Sequence, residues 1–214
     1  MTTRENDSYF DIDFDVEEVL AKNGMVDAVF YLRDLKQRKL YLNDTIDQIT
    51  VDDIVSHIIQ YNRQDKGVDP KDRQPIMLYL SSNGGEVDAG FQLIDVILAS
   101  KTPVYTVNLG YQYSMGFLIG LAGHKRFATP NAKFLMHDGT NFVYNSGTKV
   151  QDQMAFQRRV EERIRRFVID HSHVTPEEYD SKLRVEWYLF ADEAKEKGFV
   201  DQIIGVDCPF DDIV

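Results

Sequence analysis

The sequence predicts an α/β fold built on a mostly parallel sheet. Three observations carry that expectation. The runs "PIMLYLS" and "PVYTVNL" are short, apolar and non-alternating, as strands buried on both faces tend to be. Stretches with helical periodicity separate them. Glycine-bearing turns follow the strand ends, and strands alternating with helices give layered α/β architectures. There is no internal repeat or low-complexity linker, so one domain is the simplest organisation.

In chain order, residues 1–24 read as a flexible acidic arm, with Phe10, Phe14 and Val16 between the charges; residues 25–214 read as the domain. "AVFYLR" and "KLYLND" are rich in β-formers and read as strands around the connection "DLKQR". Over 44–62, Ile46, Ile49, Ile54, Ile58 and Ile59 are spaced for one helical face, with Thr50 as N-cap and Asp53 at N3. "RQDKGVDPKDRQ" is a charged loop before the strand "PIMLYLS". "FQLIDVILAS" is a helix, "PVYTVNL" a strand, and "GYQYSMGFLIGLAG" a polar turn running into a buried helix. "KRFAT" and "KFLMHD" are two further strands. Residues 148–172 form a long amphipathic helix striped with Val150, Met154, Val160, Ile164 and Val168, too long for a compact βα repeat and therefore projecting. "TPEEYDSKL" is a helix with Thr175 at N-cap, Pro176 at N1 and Glu178 at N3. The chain closes with a strand in "WYLF", a short helix ending at Gly198 and a last strand.

Composition excludes several functions. The net charge is −11, from 35 acidic and 24 basic residues, which disfavours nucleic acid as the ligand because phosphate contacts need clustered cations. A lone cysteine, Cys208, makes no internal disulfide, and the polar N-terminus has no secretory pattern, so a cytoplasmic location is expected. No run approaches the ~18 apolar residues of a membrane span. No cofactor or metal is expected: there is no P-loop for ATP, and the histidines of "HSH" diverge on a helix.

Ligand sites of open α/β sheets lie beyond the carboxyl ends of the strands. Two stretches fall there. "LYLSSNGG" puts Gly84 and Gly85 after one strand, and "TVNLGYQYSMG" puts Ser114 after the next, at the start of a helix. Helix starts expose unpaired N–H groups, and paired glycines let a backbone approach a ligand closely. The N–H groups of Gly85 and Met115 are therefore candidates for an oxyanion hole. A nucleophilic serine needs a base, and of five histidines His137 alone ends a strand. His57 reads as exposed or half-buried on its helix, His124 as solvated, and His171 and His173 as residues of a helix end.

"YLSSNGGEVDAG", "YSMGFLIGLAG", "KRFATPNAKFLMHD" and "ADEAKEKGFVDQI" together resemble the ClpP family of serine endopeptidases, the proteolytic subunits of ATP-dependent Clp proteases. The order is the same and the intervals are nearly so, from about "DLKQRKLYL" to "VDQII". The resemblance implies a ClpP/crotonase-like fold of repeated ββα units in a spiral, with the long helix as a projecting handle. It implies Ser114 as nucleophile, His137 as general base, and Gly85 and Met115 as oxyanion donors. The family's aspartate position falls on Glu186, with Asp180 and Asp192 as nearby substitutes; Asp138 is disfavoured because adjacent strand residues point to opposite faces. Departures include "SSNGG" for the family's Ser-Pro-Gly-Gly, no Gln-Pro after the histidine, and Glu86 beside the oxyanion glycine.

The resemblance further implies heptameric rings stacked as a tetradecamer, unfolded polypeptide substrates and an AAA+ Clp unfoldase, with no nucleic acid or membrane partner. Two alternatives stay open: a catalytically impaired structural subunit partnering an active paralogue, and a crotonase-type acyl-CoA enzyme sharing the spiral fold.

Overall fold

Strand β2 (Ile76–Ser82) shows how the molecule is layered. Side chains alternate along a strand, and here both sets are buried: Ile76, Leu78 and Leu80 enter the main core, while Met77 and Tyr79 enter a smaller one on the other face. A strand with both faces covered is why "PIMLYLS" carries no alternation. The computed structural model describes residues 14–139, 146–182 and 184–214. Residues 1–13 of the expected arm, and 140–145 of the loop after His137, lie outside the described residues.

Helices α1 (Phe14–Lys22) and α2 (Val26–Lys36) precede β1 (Lys39–Leu42). Then come α3 (Gln48–Gln64), β2, α4 (Val87–Ala99), β3 (Val104–Tyr113), α5 (Met115–Leu121), β4 (Lys125–Ala128) and β5 (Lys133–Met136). The chain ends with α6 (Gly147–Asp170), α7 (Pro176–Lys182), β6 (Trp187–Phe190), α8 (Ala191–Glu196) and β7 (Gln202–Ile203). The main path of the sheet runs β1-β2-β3-β4-β7, all parallel, and β5 and β6 branch from β3. The expected α/β fold with a mostly parallel sheet is therefore present, and its central strands are joined by crossover helices.

Four local expectations need correction. "AVFYLR" lies inside α2 and is not a strand. Val29 and Leu35 are buried and Ala28 and Leu32 half-buried, a helical stripe that packs on the core and overrides the β-rich composition. The cap of α3 is Asp47, not Thr50: the Asp47 carboxylate accepts from Thr50 N–H at 2.8 Å. The buried face of α3 is Val51, Ile54, Val55, Ile58 and Tyr61; Ile49 and Ile59 face solvent, and Ile46 precedes the helix. The polar half of "GYQYSMGFLIGLAG" is also not a turn, because β3 continues through Tyr113.

That long strand forks. Its first half pairs with β4, from Tyr105↔Lys125 to Asn108↔Ala128. Its end pairs with β5, from Tyr111↔Lys133 to Tyr113↔Leu135. Against β2 the register slips at the same place: Leu80 pairs with Asn108 but Ser82 with Gln112, two steps on β2 against four on β3. Buried Asn108 pins the fork, donating to Lys133 O at 3.0 Å and accepting from Gly110 N–H at 3.0 Å.

One nearly buried ion pair and one buried hydrogen bond tie the periphery. Arg38, at φ 59°, ends the turn after α2 and clamps Asp65 with two hydrogen bonds of 2.7 Å. Asp65 also accepts from Thr102 Oγ1 at 2.8 Å. Burial pushes the Asp65 carboxyl up, but the Arg38 and Thr102 hydrogen bonds prevail and hold it below its ordinary value. At the other end Tyr79 donates its hydroxyl proton to Ile213 O, closing the C-terminal 3₁₀ turn (Phe210–Ile213) over the smaller core.

Helix α6 is about 36 Å long at the standard rise and coincides with the long helix expected over 148–172 to within its end residues. Its buried residues, Phe167 and Val168, lie near its C-terminal end, where Arg165 forks onto Asp180 of α7 at 2.7 and 2.9 Å. Met154 and Phe156 are exposed, and an open groove of about 810 Å³ separates α6 from α4, lined by Phe91, Phe156, Arg159 and Arg163 among others. Thr175 caps α7 as expected, accepting from Glu178 N–H at 3.2 Å. Among the described residues no helix is long and apolar enough to cross a membrane.

Candidate active site

Ser114 stands at the junction of β3 and α5 with φ 55° and ψ −123°. An L-residue with positive φ costs of order 1–3 kcal/mol and persists only where its surroundings impose it. Here they do. Ser114 N–H donates to Leu135 O at 2.9 Å, the last rung of the β3–β5 ladder, while Ser114 O accepts from Phe117 and Leu118 N–H as α5 begins. The strand is thus still paired at the residue where the helix starts, and the reversal falls on one residue. The Ser114 hydroxyl does not cap its own helix, so it is left for other work.

The paired glycines lie against this turn. At Gly84 (φ 98°) a Cβ would stand 2.7 Å from Ser114 Cβ and 3.0 Å from Met115 N, closer than a side chain tolerates. At Gly85 (φ 157°) it would lie 2.1 Å from Ile46 O. Ile46 brackets Gly85, donating to Gly84 O at 3.0 Å and accepting from Glu86 N–H at 2.8 Å. In a parallel pairing the bracketed residue turns its own N–H to the opposite side, so the Gly85 N–H points away from Ile46. Met115 is the first residue of α5, where N–H groups have no intrahelical acceptor. The Ser82 hydroxyl steadies the loop, accepting from Gly84 N–H at 3.1 Å and donating to Asp44 O at 2.6 Å.

His137 and Glu186 meet through strand register. β5 and β6 are antiparallel, pairing Lys133↔Phe190 through Met136↔Trp187. One further step sets His137 opposite Glu186, and His137 Nδ1 lies 3.7 Å from Glu186 Oε1. The other carboxylate oxygen, Oε2, accepts from the Tyr188 hydroxyl at 2.7 Å. That bond to the Glu186 carboxylate holds the Tyr188 phenol above its ordinary value. The His137 side chain is 27% exposed and that of Glu186 59%, so the pair sits at an open rim. Among the described residues no hydrogen bond joins Ser114 Oγ to His137; the β3–β5 pairing brings Ser114 beside Leu135, two residues before His137.

Asp180 is held by Arg165, Asp138 is exposed, and Asp192 is exposed in the first turn of α8. His57 differs from expectation: it is buried, 3.6 Å from Asp53 and 3.3 Å from the Tyr31 hydroxyl, and burial lowers its pKa while Asp53 opposes. Exposed His124 accepts from Val104 N–H through Nδ1 at 3.1 Å. Nδ1 of His171 lies 2.8 Å from Phe167 O, and Nδ1 of His173 lies 3.3 Å from Glu196 O.

Tyr188 and Ser82 escaped the sequence reading. A signal for Tyr188 was present, since residues two apart on a strand share a face and Glu186 and Tyr188 flank Trp187. Nothing local marks Ser82, whose role depends on where Asp44 arrives.

A serine at a strained strand–helix turn, a glycine pair pressed against it and a histidine facing a carboxylate make a constellation suited to acyl transfer. The model of the Clp protease family matches residues 22–207. That match takes in the sheet, the glycine pair, the turn and both strands of the His137–Glu186 pairing: the chain belongs to the Clp protease family, and its fold is the ClpP fold.

Proposed function

We propose that the chain is a serine endopeptidase in which Ser114, His137 and Glu186 form the triad and the Gly85 and Met115 N–H groups the oxyanion hole. The observation that carries this is the β5–β6 register, which sets a carboxylate against His137 Nδ1 while β5 also pairs with the strand that leads into Ser114. With Nδ1 turned to Glu186, the second ring nitrogen serves the serine. His137 takes the Ser114 proton as Oγ adds to the scissile carbonyl, and the two N–H groups receive the oxyanion. The C–N bond then breaks, the proton passes from His137 to the leaving amine, and an ester remains on Ser114. Water, deprotonated by His137, then adds to that ester; the bond to Ser114 Oγ breaks, His137 returns the proton to Oγ, and the acid product leaves. No metal or cofactor enters this chemistry.

Self-assembly into stacked heptameric rings fits the same reading. On α6 Ile164 and Val168 pack on the core, but Met154 and Phe156 stay exposed in a single chain, and exposed apolar surface of that kind marks an interface. Unfolded polypeptide is the substrate class, and a Clp-type AAA+ unfoldase the partner that delivers it.

A fluorophosphonate probe tests the reading. It labels the assembled protein at Ser114, located by peptide mass, and Ser114→Ala abolishes the label. An assembled wild type that takes no label refutes the peptidase assignment. One observation favours a structural ring subunit instead: the 3.7 Å between His137 and Glu186 exceeds a hydrogen bond. Peptide hydrolysis by the purified homo-oligomer excludes that reading.

A further inference from the structure

Glu186 occupies a place where the ClpP resemblance puts a shorter side chain, and it is exposed. A glutamate there has three rotatable bonds, and holding it in one orientation costs conformational entropy. The structure supplies a restraint. Tyr188, two residues along β6 and on the same face, donates to Glu186 Oε2 at 2.7 Å, while Oε1 is the oxygen nearer His137. Tyr188 is exposed on one side, and on the other its ring stands edge-on against Tyr113, with centroids 6.0 Å apart and the planes at 89°. Tyr113 in turn packs against Tyr111, at 5.2 Å. Both tyrosines lie on the segment of β3 that leads directly into Ser114. The aromatic row therefore links the strand carrying the serine to the strand carrying the carboxylate, without passing through the histidine.

We propose that Tyr188 is a positioning residue of the triad: its hydroxyl holds Glu186 through Oε2 so that Oε1 is presented to His137. The inference rests on the peptidase reading above. It explains how a carboxylate longer by one methylene serves this site, since an anchored Glu186 is preorganised much as a shorter side chain would be. Tyr188 need not touch substrate.

Tyr188→Phe keeps the ring and its Tyr113 contact while removing the hydroxyl. Peptide hydrolysis by the assembled variant is expected to show kcat reduced by about three- to tenfold, the range for one hydrogen bond to a charged group at an exposed site, with KM unchanged. In a Glu186→Gln background the same change has no further effect on kcat, because the carboxylate charge being positioned is gone. An unchanged kcat in Tyr188→Phe overturns the proposal. So does an equal loss in both backgrounds, which reports general damage. A readout independent of activity accompanies these: with ¹³C-labelled tyrosine, the Tyr188 phenol titrates above the ordinary tyrosine value in the wild type and returns toward it in Glu186→Gln. A Tyr188 titration that ignores Glu186→Gln overturns the contact. A wild type that no fluorophosphonate labels removes the catalytic reading and the positioning role together. A labelled wild type with a silent Tyr188→Phe removes the positioning role alone.

Discussion

His137 and Glu186 are cross-strand partners one step past the end of a ladder. Met136 pairs with Trp187, and the next two side chains meet with 3.7 Å between Nδ1 and Oε1. Their approach is set by the backbone of β5 and β6, so side-chain length decides how near the carboxylate comes. Glu186→Gln keeps the shape and removes the charge that steadies an imidazolium; kcat is expected to fall by about a hundredfold or more, with fluorophosphonate labelling slowed in parallel. Glu186→Asp withdraws the carboxylate by about one C–C bond, or ~1.5 Å, and abandons Tyr188. It is therefore expected to lower kcat as well, despite restoring the residue that the family resemblance leads one to expect.

Gly85→Ala is expected to abolish peptide cleavage while leaving most of the fold. Its Cβ would meet Ile46 O at 2.1 Å, and the backbone would have to move, taking the 85 N–H away from the Met115 N–H. Overpacking of this kind costs about 1–3 kcal/mol of stability. Thermal unfolding then shows a modest fall in Tm alongside a loss of probe labelling. A labelled, active Gly85→Ala protein contradicts the oxyanion assignment.

The Arg38–Asp65 pair should govern acid stability. Both side chains are nearly buried, at 12% and 10% exposed. Asp65→Ala leaves the guanidinium without its partner and is expected to cost about 3 kcal/mol in chemical denaturation. Because the folded-state pKa of Asp65 is depressed, its contribution is complete above the unfolded carboxylate value of about 4 and fades as pH falls through and below it. The gap between wild type and Asp65→Ala should accordingly narrow in acid; a constant gap contradicts the assignment.

Phe156→Glu is expected to weaken self-association without unfolding the chain. The residue is 60% exposed on the free part of α6, so the isolated subunit loses little. Native mass spectrometry should then show smaller species than the wild type, with far-UV circular dichroism unchanged. An undiminished assembly places the interface elsewhere.

The elements most legible in the sequence are those whose signals are local. The Thr175 cap of α7 and the buried run of β2 need no knowledge of distant residues. "AVFYLR" misled because Val, Phe, Tyr and Leu favour strands by composition, while what decides the segment is the stripe through Val29 and Leu35 meeting the core. Ser114 and His137 are visible as residues at strand ends. Glu186 is legible only through family resemblance: its register with His137 depends on two strands separated in sequence by α6 and α7, and no spacing along the chain encodes it.

The fork in β3 separates what holds the protein together from what would do its chemistry. Up to Asn108 the strand is locked between β2 and β4; beyond it, the strand answers to β5, and the slip against β2 lies between the two regimes. Leu109 is exposed and Gly110 half-exposed, so the joint itself carries little packing. One residue added there would invert the phase of Gln112, Tyr113 and Ser114, turning the hydroxyl to the opposite face of the sheet, while the rungs before it stayed in place. The strand works like a crankshaft with a single journal: its bearing half is insensitive to the angle of the throw, and the phase in which the serine arrives is set by the few residues that join them.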